Sequence, residues 1–236
     1  ITDLLGREPV QIDEHRVRGA VTGRKILVTG ATGSIGSELC RQLLSFEPAR
    51  LIAFDQAESE LFRIEMELRA AFPNVPLSVV VGDIRDAASI EDVILTYDVE
   101  AIFHAAAYKH VPLMEKFPLE AVRNNVLGTW KLVQAAYRNR VGTFVMISSD
   151  KAVNPSSIMG ATKRLAELIL SAMPTDRTKS VSVRFGNVLG SNGSVVPIFQ
   201  KQIAQGGPVT VTRPDMRRYF MTIPEAAQLV LVASSM

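Results

Sequence analysis

Asp150 and Lys151 stand side by side in the run Ser148-Ser149-Asp150-Lys151-Ala152-Val153-Asn154-Pro155, so a carboxyl and an amine share one short turn. One group of each kind, close together, is what an elimination needs as its acid and base. Just beyond lies Met159-Gly-Ala-Thr-Lys163, and on a helix that spacing puts Met159 and Lys163 on one face. Upstream, Gly30-Ala-Thr-Gly33-Ser-Ile-Gly36 spaces three glycines so that backbone amides can approach a pyrophosphate, which also gains from a helix N-terminus. The expected contacts there are Gly30, Thr32, Gly33, Ser34, Ile35 and Gly36. Asp55 closes the next apolar run, where a carboxylate meets a ribose 2′-hydroxyl. It would repel a 2′-phosphate, and no Arg follows it directly, so the cofactor expected is NAD rather than NADP.

Two further stretches fit the rest of a dinucleotide. In Gly82-Asp83-Ile84, Asp83 could accept from an adenine amino group, with Ile84 against the ring. In His104-Ala-Ala-Ala107, the small side chains of Ala105 and Ala106 leave room for the cofactor backbone. His104 itself reads better as a packed, hydrogen-bonded histidine than as a site residue.

These residues need a frame that brings strand ends together. From Lys25 onward, β-branched runs alternate with helical-period segments, the pattern of a parallel sheet covered on both faces. The spacing predicts strands over Lys25–Thr29, Arg50–Phe54, Leu77–Val81, Ala101–His104, Thr143–Ser148 and Ser180–Arg184. Helices are predicted over Ile35–Ser45, Ser59–Phe72, Ala88–Tyr97, Leu119–Asn139 and Met159–Ala172, with a short one near Pro197–Gln205 and an apolar-faced one over Ile223–Met236. The fold class expected is α/β, a Rossmann-like doubly wound parallel sheet with the start of a small substrate lobe. Residues 1–22 read as a leader or linker, 23–185 as the NAD-binding Rossmann domain, and 186–236 as a partial, truncated substrate-binding lobe.

Composition narrows the partners. The 236 residues are 47% hydrophobic, enough to fill one large core. Lys and Arg number 26 against 24 Asp and Glu, a net charge of +2 that offers no steering toward nucleic acid. Cys40 is the only cysteine and the three histidines, His15, His104 and His110, are scattered, so no disulfide and no metal site is expected. No apolar run approaches the roughly 18 residues of a membrane span. The chain opens on Ile1 rather than Met, so a membrane segment upstream stays open.

Taken together, GATGSIG, AAYKHVPLMEKFPLEAVRNNVLGT, SSDKAVNP, MGATKR and VRFGNVLGSNGSVVPIF closely resemble the capsular-polysaccharide-type UDP-N-acetylglucosamine 4,6-dehydratases of the extended short-chain dehydrogenases/reductases. The resemblance runs from about Asp3 to the end and is most specific over 146–163. It implies Asp150 as acid, Lys151 as base, Ser149 as a hydrogen-bond partner of the sugar C4 oxygen, and Lys163 on the nicotinamide ribose. Met159 occupies the position of the usual tyrosine, as in the large membrane-anchored branch, so the base for the C4 hydroxyl is not visible. The resemblance further implies that Asn125 holds the active-site helix and that Asn187, Ser194 and Val195 surround the sugar and diphosphate.

Lys109 and His110 follow the fourth strand, over the expected sugar position. Arg218 or Arg217 could fork onto phosphate oxygens. Much of the uridine pocket in such enzymes lies beyond residue 236. The expected setting is a cytoplasmic catalytic region, with an inner-membrane tether upstream left open, acting on a UDP-sugar as a homo-oligomer. Two other readings stand beside this one: a UDP-hexosamine 4-epimerase, and a catalytically silent NAD-binding module.

Overall fold

The computed structural model describes residues 5, 13–174, 176–211, 213, 215 and 217–236. Six strands, β1 (Lys25–Thr29), β2 (Arg50–Asp55), β3 (Leu77–Val81), β4 (Ala101–His104), β5 (Thr143–Ser149) and β6 (Lys179–Phe185), form one sheet in the order β3-β2-β1-β4-β5-β6. Every pairing is parallel. Strands covered on both faces must be apolar on both, and β1 shows the consequence, with Ile26, Leu27 and Val28 all buried.

Successive side chains point to opposite faces, so the strand residues divide between two cores. Ile26 and Val28 join Leu39 and Leu43 of α2 (Ser34–Ser45) and Leu61 and Leu68 of α3 (Glu58–Ala71). Leu27 joins Ile90 and Ile94 of α4 (Ala87–Tyr97) and Leu170 of the helix Ile158–Ser171 on the other side.

Three features depart from the sequence pattern. Residues Glu14–Val21, read as leader, form α1, capped by the Asp13 carboxylate and held by Val17 and Val21 in the first core. Only two apolar side chains carry it, too few to show a period. A short helix, α5 (Val111–Lys116), starts with Pro112 in its first turn. The helix expected over 119–139 is composite: α6 (Pro118–Ala121), a π-helical segment Val122–Gly128, then α7 (Thr129–Arg138).

After α8 (Ile158–Ser171) and β6, the strands β7 (Asn187–Val188) and β8 (Phe220–Met221) pair in parallel as a separate small sheet, flanked by α9 (Val195–Ala204). The last helix, α10 (Ile223–Ser234), opens with a Thr222–Glu225 capping box and returns to the main sheet, where Ala227, Val230 and Leu231 complete the first core. It therefore packs with the Rossmann unit, although its sequence follows the lobe.

Two glycines are obligatory where β1 turns into α2. Gly30 has φ +70°, and a Cβ there would sit 2.5 Å from the Ala106 nitrogen. A Cβ at Gly36 would overlap the Gly30 carbonyl. We expect Gly36→Ala to cost about 1–3 kcal/mol through overpacking, read as a lower urea midpoint. Gly19→Ala in α1, with open space around it, should leave the midpoint level or raise it; equal losses in both variants would refute the packing argument.

Candidate active site

The connections from β1 and β4 leave the sheet on opposite faces, which opens a crevice at their carboxyl ends. Two cavities line it, of about 160 Å³ and 770 Å³, sharing Gly33, Ala105, Ala107 and Tyr108. The smaller is walled by Gly30, Thr32, Asp55, Asp83, Ile84 and Ala106. Ser34, Ile35 and Gly36 begin α2 at the border of the larger one. This cradle exists because glycines stand where a Cβ would fill it, and it suits a dinucleotide diphosphate at a helix N-terminus.

Within the cradle, Asp55 does two things at once. Its Oδ2 accepts from the Thr32 amide at 3.0 Å and the Thr32 hydroxyl at 2.7 Å, and its Oδ1 accepts from the Ala57 amide at 3.1 Å. It thus braces the glycine loop and the start of α3 while facing the cavity. Asp83 is gripped by the Arg85 guanidinium at 2.6–3.0 Å, and those hydrogen bonds hold its carboxyl below the usual range against the opposing cost of burial. Arg85 also reaches Glu120 of α6.

His104 belongs to the core. It is 1% exposed, with Nδ1 2.7 Å from the Thr29 hydroxyl and Nε2 2.9 Å from that of Thr129. Burial, and then the Lys163 charge, push its pKa down to about 3, so it stays neutral.

The larger cavity gathers the second set of residues. Ser149, Lys151, Met159, Lys163, Lys109, His110, Asn187, Ser194 and Val195 all line it. The β5 end continues as a single turn of 3-10 helix, Asp150–Ala152, which turns these side chains toward α8. Ser149 Oγ donates to Asp150 Oδ1 at 2.9 Å, and Lys151 Nζ donates to the same oxygen at 3.0 Å and to Asn187 Oδ1 at 3.2 Å. Lys163 is 7% exposed and donates to the Ile147 carbonyl at 2.5 Å; burial pushes its pKa down to about 8, partly offset by Glu167. Met159, 4% exposed, packs with Met114 and Ala121. The Ser194 hydroxyl is buried without a hydrogen-bond partner, a polar atom that suits a ligand. Burial lowers the Lys109 pKa.

The π-helical segment positions Asn125, which accepts from the Tyr108 amide at 2.8 Å and donates to the Tyr108 carbonyl at 2.9 Å and the Thr162 hydroxyl at 3.1 Å. One amide side chain thus ties the β4 exit loop to α8, the structural part expected of it.

The profile of the family described as polysaccharide biosynthesis protein matches residues 26–236. The chain belongs to that family. It is 50% identical over 239 residues to the capsular polysaccharide biosynthesis protein CapD of Staphylococcus aureus, covering 100% of this chain and 40% of CapD. It is 35% identical over 220 residues to a UDP-glucose 4-epimerase of Rickettsia canadensis, covering 89% and 62%. Among solved structures it resembles the dTDP-glucose 4,6-dehydratase DesIV of Streptomyces venezuelae, solved with NAD bound, at 26% identity and TM-score 0.74, over 84% of this chain and 68% of that one. The chain therefore spans less than half the length of CapD.

For this polysaccharide-biosynthesis chain, the structure revises two expectations about the site. Asp150, the acid that the resemblance implies, has a side chain 47% exposed. Burial does raise its pKa, but the hydrogen bonds from Lys151 and Ser149 and the Lys151 charge outweigh that, so it lies below the usual carboxylate value. Arg218 donates to the Arg217 carbonyl on an exposed stretch and lines neither cavity. The sequence reading also passed over Glu167, four residues beyond Lys163, which gathers Ser148, Arg164 and Arg184. Helical spacing alone could have flagged it.

The buried imidazole gives a test. A folded-state pKa depressed from about 6.5 to about 3 means that the unfolded chain binds the extra proton between those values, so this stability is present above pH 6.5 and lost as pH falls toward 3. His104→Gln should flatten the slope of unfolding free energy against pH in that window by up to about 1.4 kcal/mol per pH unit. An unchanged slope would mean that the ring is charged in the folded protein.

Proposed function

We propose that this chain is the catalytic core of an NAD-dependent dehydratase that converts a UDP-N-acetylhexosamine, UDP-N-acetylglucosamine first among them, to its 4-keto-6-deoxy sugar. The observation that carries this reading is the hydrogen-bonded chain Ser149–Asp150–Lys151 beside a cavity in which Met159 has no proton to exchange. The glycine cradle, Asp55, Asp83, Ile84, Ala105 and Ala106 fit NAD, and the ribose-facing Asp55 disfavours NADP. When bound, NAD+ supplies hydride acceptance from C4 and hydride donation to C6.

The residues divide the proton work. Ser149 hydrogen-bonds the C4 hydroxyl and relays its proton to Asp150, whose lowered pKa suits it to be a base first. The positive Lys163 stabilises the oxyanion developing at C4. Once protonated, Asp150 no longer holds a counter-charge against Lys151, which releases one proton to solvent and becomes the neutral amine. Lys151 then takes the C5 proton made acidic by the C4 ketone, and Asp150 gives its own proton to the departing C6 hydroxyl. Water leaves, Lys151 returns a proton to C5 and takes one back from solvent, and both groups regain their starting states. Lys109, His110, Asn187, Ser194 and Val195 hold the sugar and diphosphate, while Arg218 would have to move to take part. The same reading gives the full protein a UDP-sugar partner, self-association, and a cytoplasmic catalytic region tethered to the inner membrane.

The similarity to a 4-epimerase keeps one rival, in which the C4 hydride returns to C4. UDP-N-acetylglucosamine deuterated at C4, incubated with the full-length protein, should lose one water and carry its deuterium to the C6 methyl. Asp150→Asn should slow this by about 10²–10⁴. Recovery of UDP-N-acetylgalactosamine with deuterium still at C4 would replace the dehydratase by the epimerase.

A further inference from the structure

Glu167 lies one turn beyond Lys163 on α8 and is 5% exposed. Its Oε1 accepts from the Ser148 hydroxyl at 2.6 Å and Arg184 Nε at 2.7 Å, and its Oε2 accepts from Arg184 Nη2 at 2.6 Å and Arg164 at 3.1 Å. Ser148 precedes Ser149 on β5, and Arg184 sits on β6 just before the cavity-lining Phe185, Gly186 and Asn187. One carboxylate therefore joins the helix that carries Lys163 to the two strands that lead into the proton relay and its Asn187 anchor.

We propose that Glu167 is a positioning residue for the reaction: it fixes α8 against the ends of β5 and β6 and keeps the Lys163 ammonium charged where the cofactor and the C4 oxygen meet it. This rests on the reading of Lys163 given above. A buried carboxylate with four donors is held in one geometry, and helix residues four apart face the same way. Lys163 is committed to the Ile147 carbonyl, a neutral acceptor that does not balance its charge. The charged and titratable groups around it are Glu167 and Arg164 on its own helix, His104 from β4, Asp150 and Lys151 from the 3-10 turn, and Arg184 from β6. His104 is neutral, and Arg184 is 41% exposed and screened by solvent. Glu167 is thus the buried anion that opposes the cost of burying Lys163.

The test is a pair of pH profiles on the full-length protein: NAD affinity by calorimetry, and kcat/KM for dehydration. In the wild type both should decline as Lys163 loses its proton near pH 8. Glu167→Gln should move both declines about one pH unit lower, so that activity at pH 8 falls about fourfold more than at pH 6.5. Arg184→Gln, which removes a cation and leaves Glu167 less neutralised, should move them higher and serves if Glu167→Gln does not fold. Declines that stay at the wild-type pH in a folded variant, whatever the loss of rate, would overturn the inference. A wild type without dehydratase activity whose NAD-affinity profile still shifts as stated would instead refute the proposed reaction and leave the role of Glu167 standing.

Discussion

Burying the Lys163 ammonium imposes conditions on everything around it. An ion taken out of water costs several kcal/mol unless its surroundings compensate, and this one lies on α8 at the wall of the larger cavity, 7% exposed. The Ile147 carbonyl accepts its hydrogen bond and Glu167 supplies the opposite charge. Glu167 must in turn be satisfied, which commits Ser148, Arg164 and Arg184 to it and depresses its own pKa to about 2. His104 is kept neutral by its own burial first and by the Lys163 charge second. Glu167 and its partners thereby link α8 to β5 and β6 beside the relay side chains.

In the proposed reaction the site works beside that cation without a phenol. A tyrosine on the face of Lys163 would be the obvious base, but Met159 fills that place with a thioether packed on Met114 and Ala121. In the proposed reaction the proton work falls to the strand end, where Ser149, Asp150 and Lys151 form a hydrogen-bonded chain with Asn187 as its outer anchor. The partly exposed setting of Asp150 follows from the short 3-10 turn that carries it. In the proposed cycle the carboxylate starts as a base and then becomes the acid.

Much of this was legible in the sequence because it depends on local patterns. The six strands and the glycine loop followed from β-branched runs and from residues that tolerate no Cβ, and the strand order that opens the crevice is the one expected of a doubly wound sheet. What escaped depends on contacts distant in sequence. Helix α1 stays in place through two valines that meet α10 only after folding. The direction of the Asp150 shift depends on how its turn faces solvent, and Arg218 stays at the surface because its stretch does not fold into the cleft. Glu167 showed its helical spacing from Lys163, but its partners Ser148 and Arg184 lie on separate strands and become neighbours only through the β5–β6 pairing.

The proposed dehydration requires the Asp150–Lys151 turn to move protons at C5 and C6 and not merely at C4. Running the reaction of UDP-N-acetylglucosamine in deuterated water and reading the product by NMR addresses this most directly. The account predicts solvent deuterium at C5 of a 4-keto-6-deoxy product, abolished by Lys151→Met. A product formed by Lys151→Met at the wild-type rate and with the same C5 deuterium, or a wild-type product with only hydrogen at C5, would contradict it.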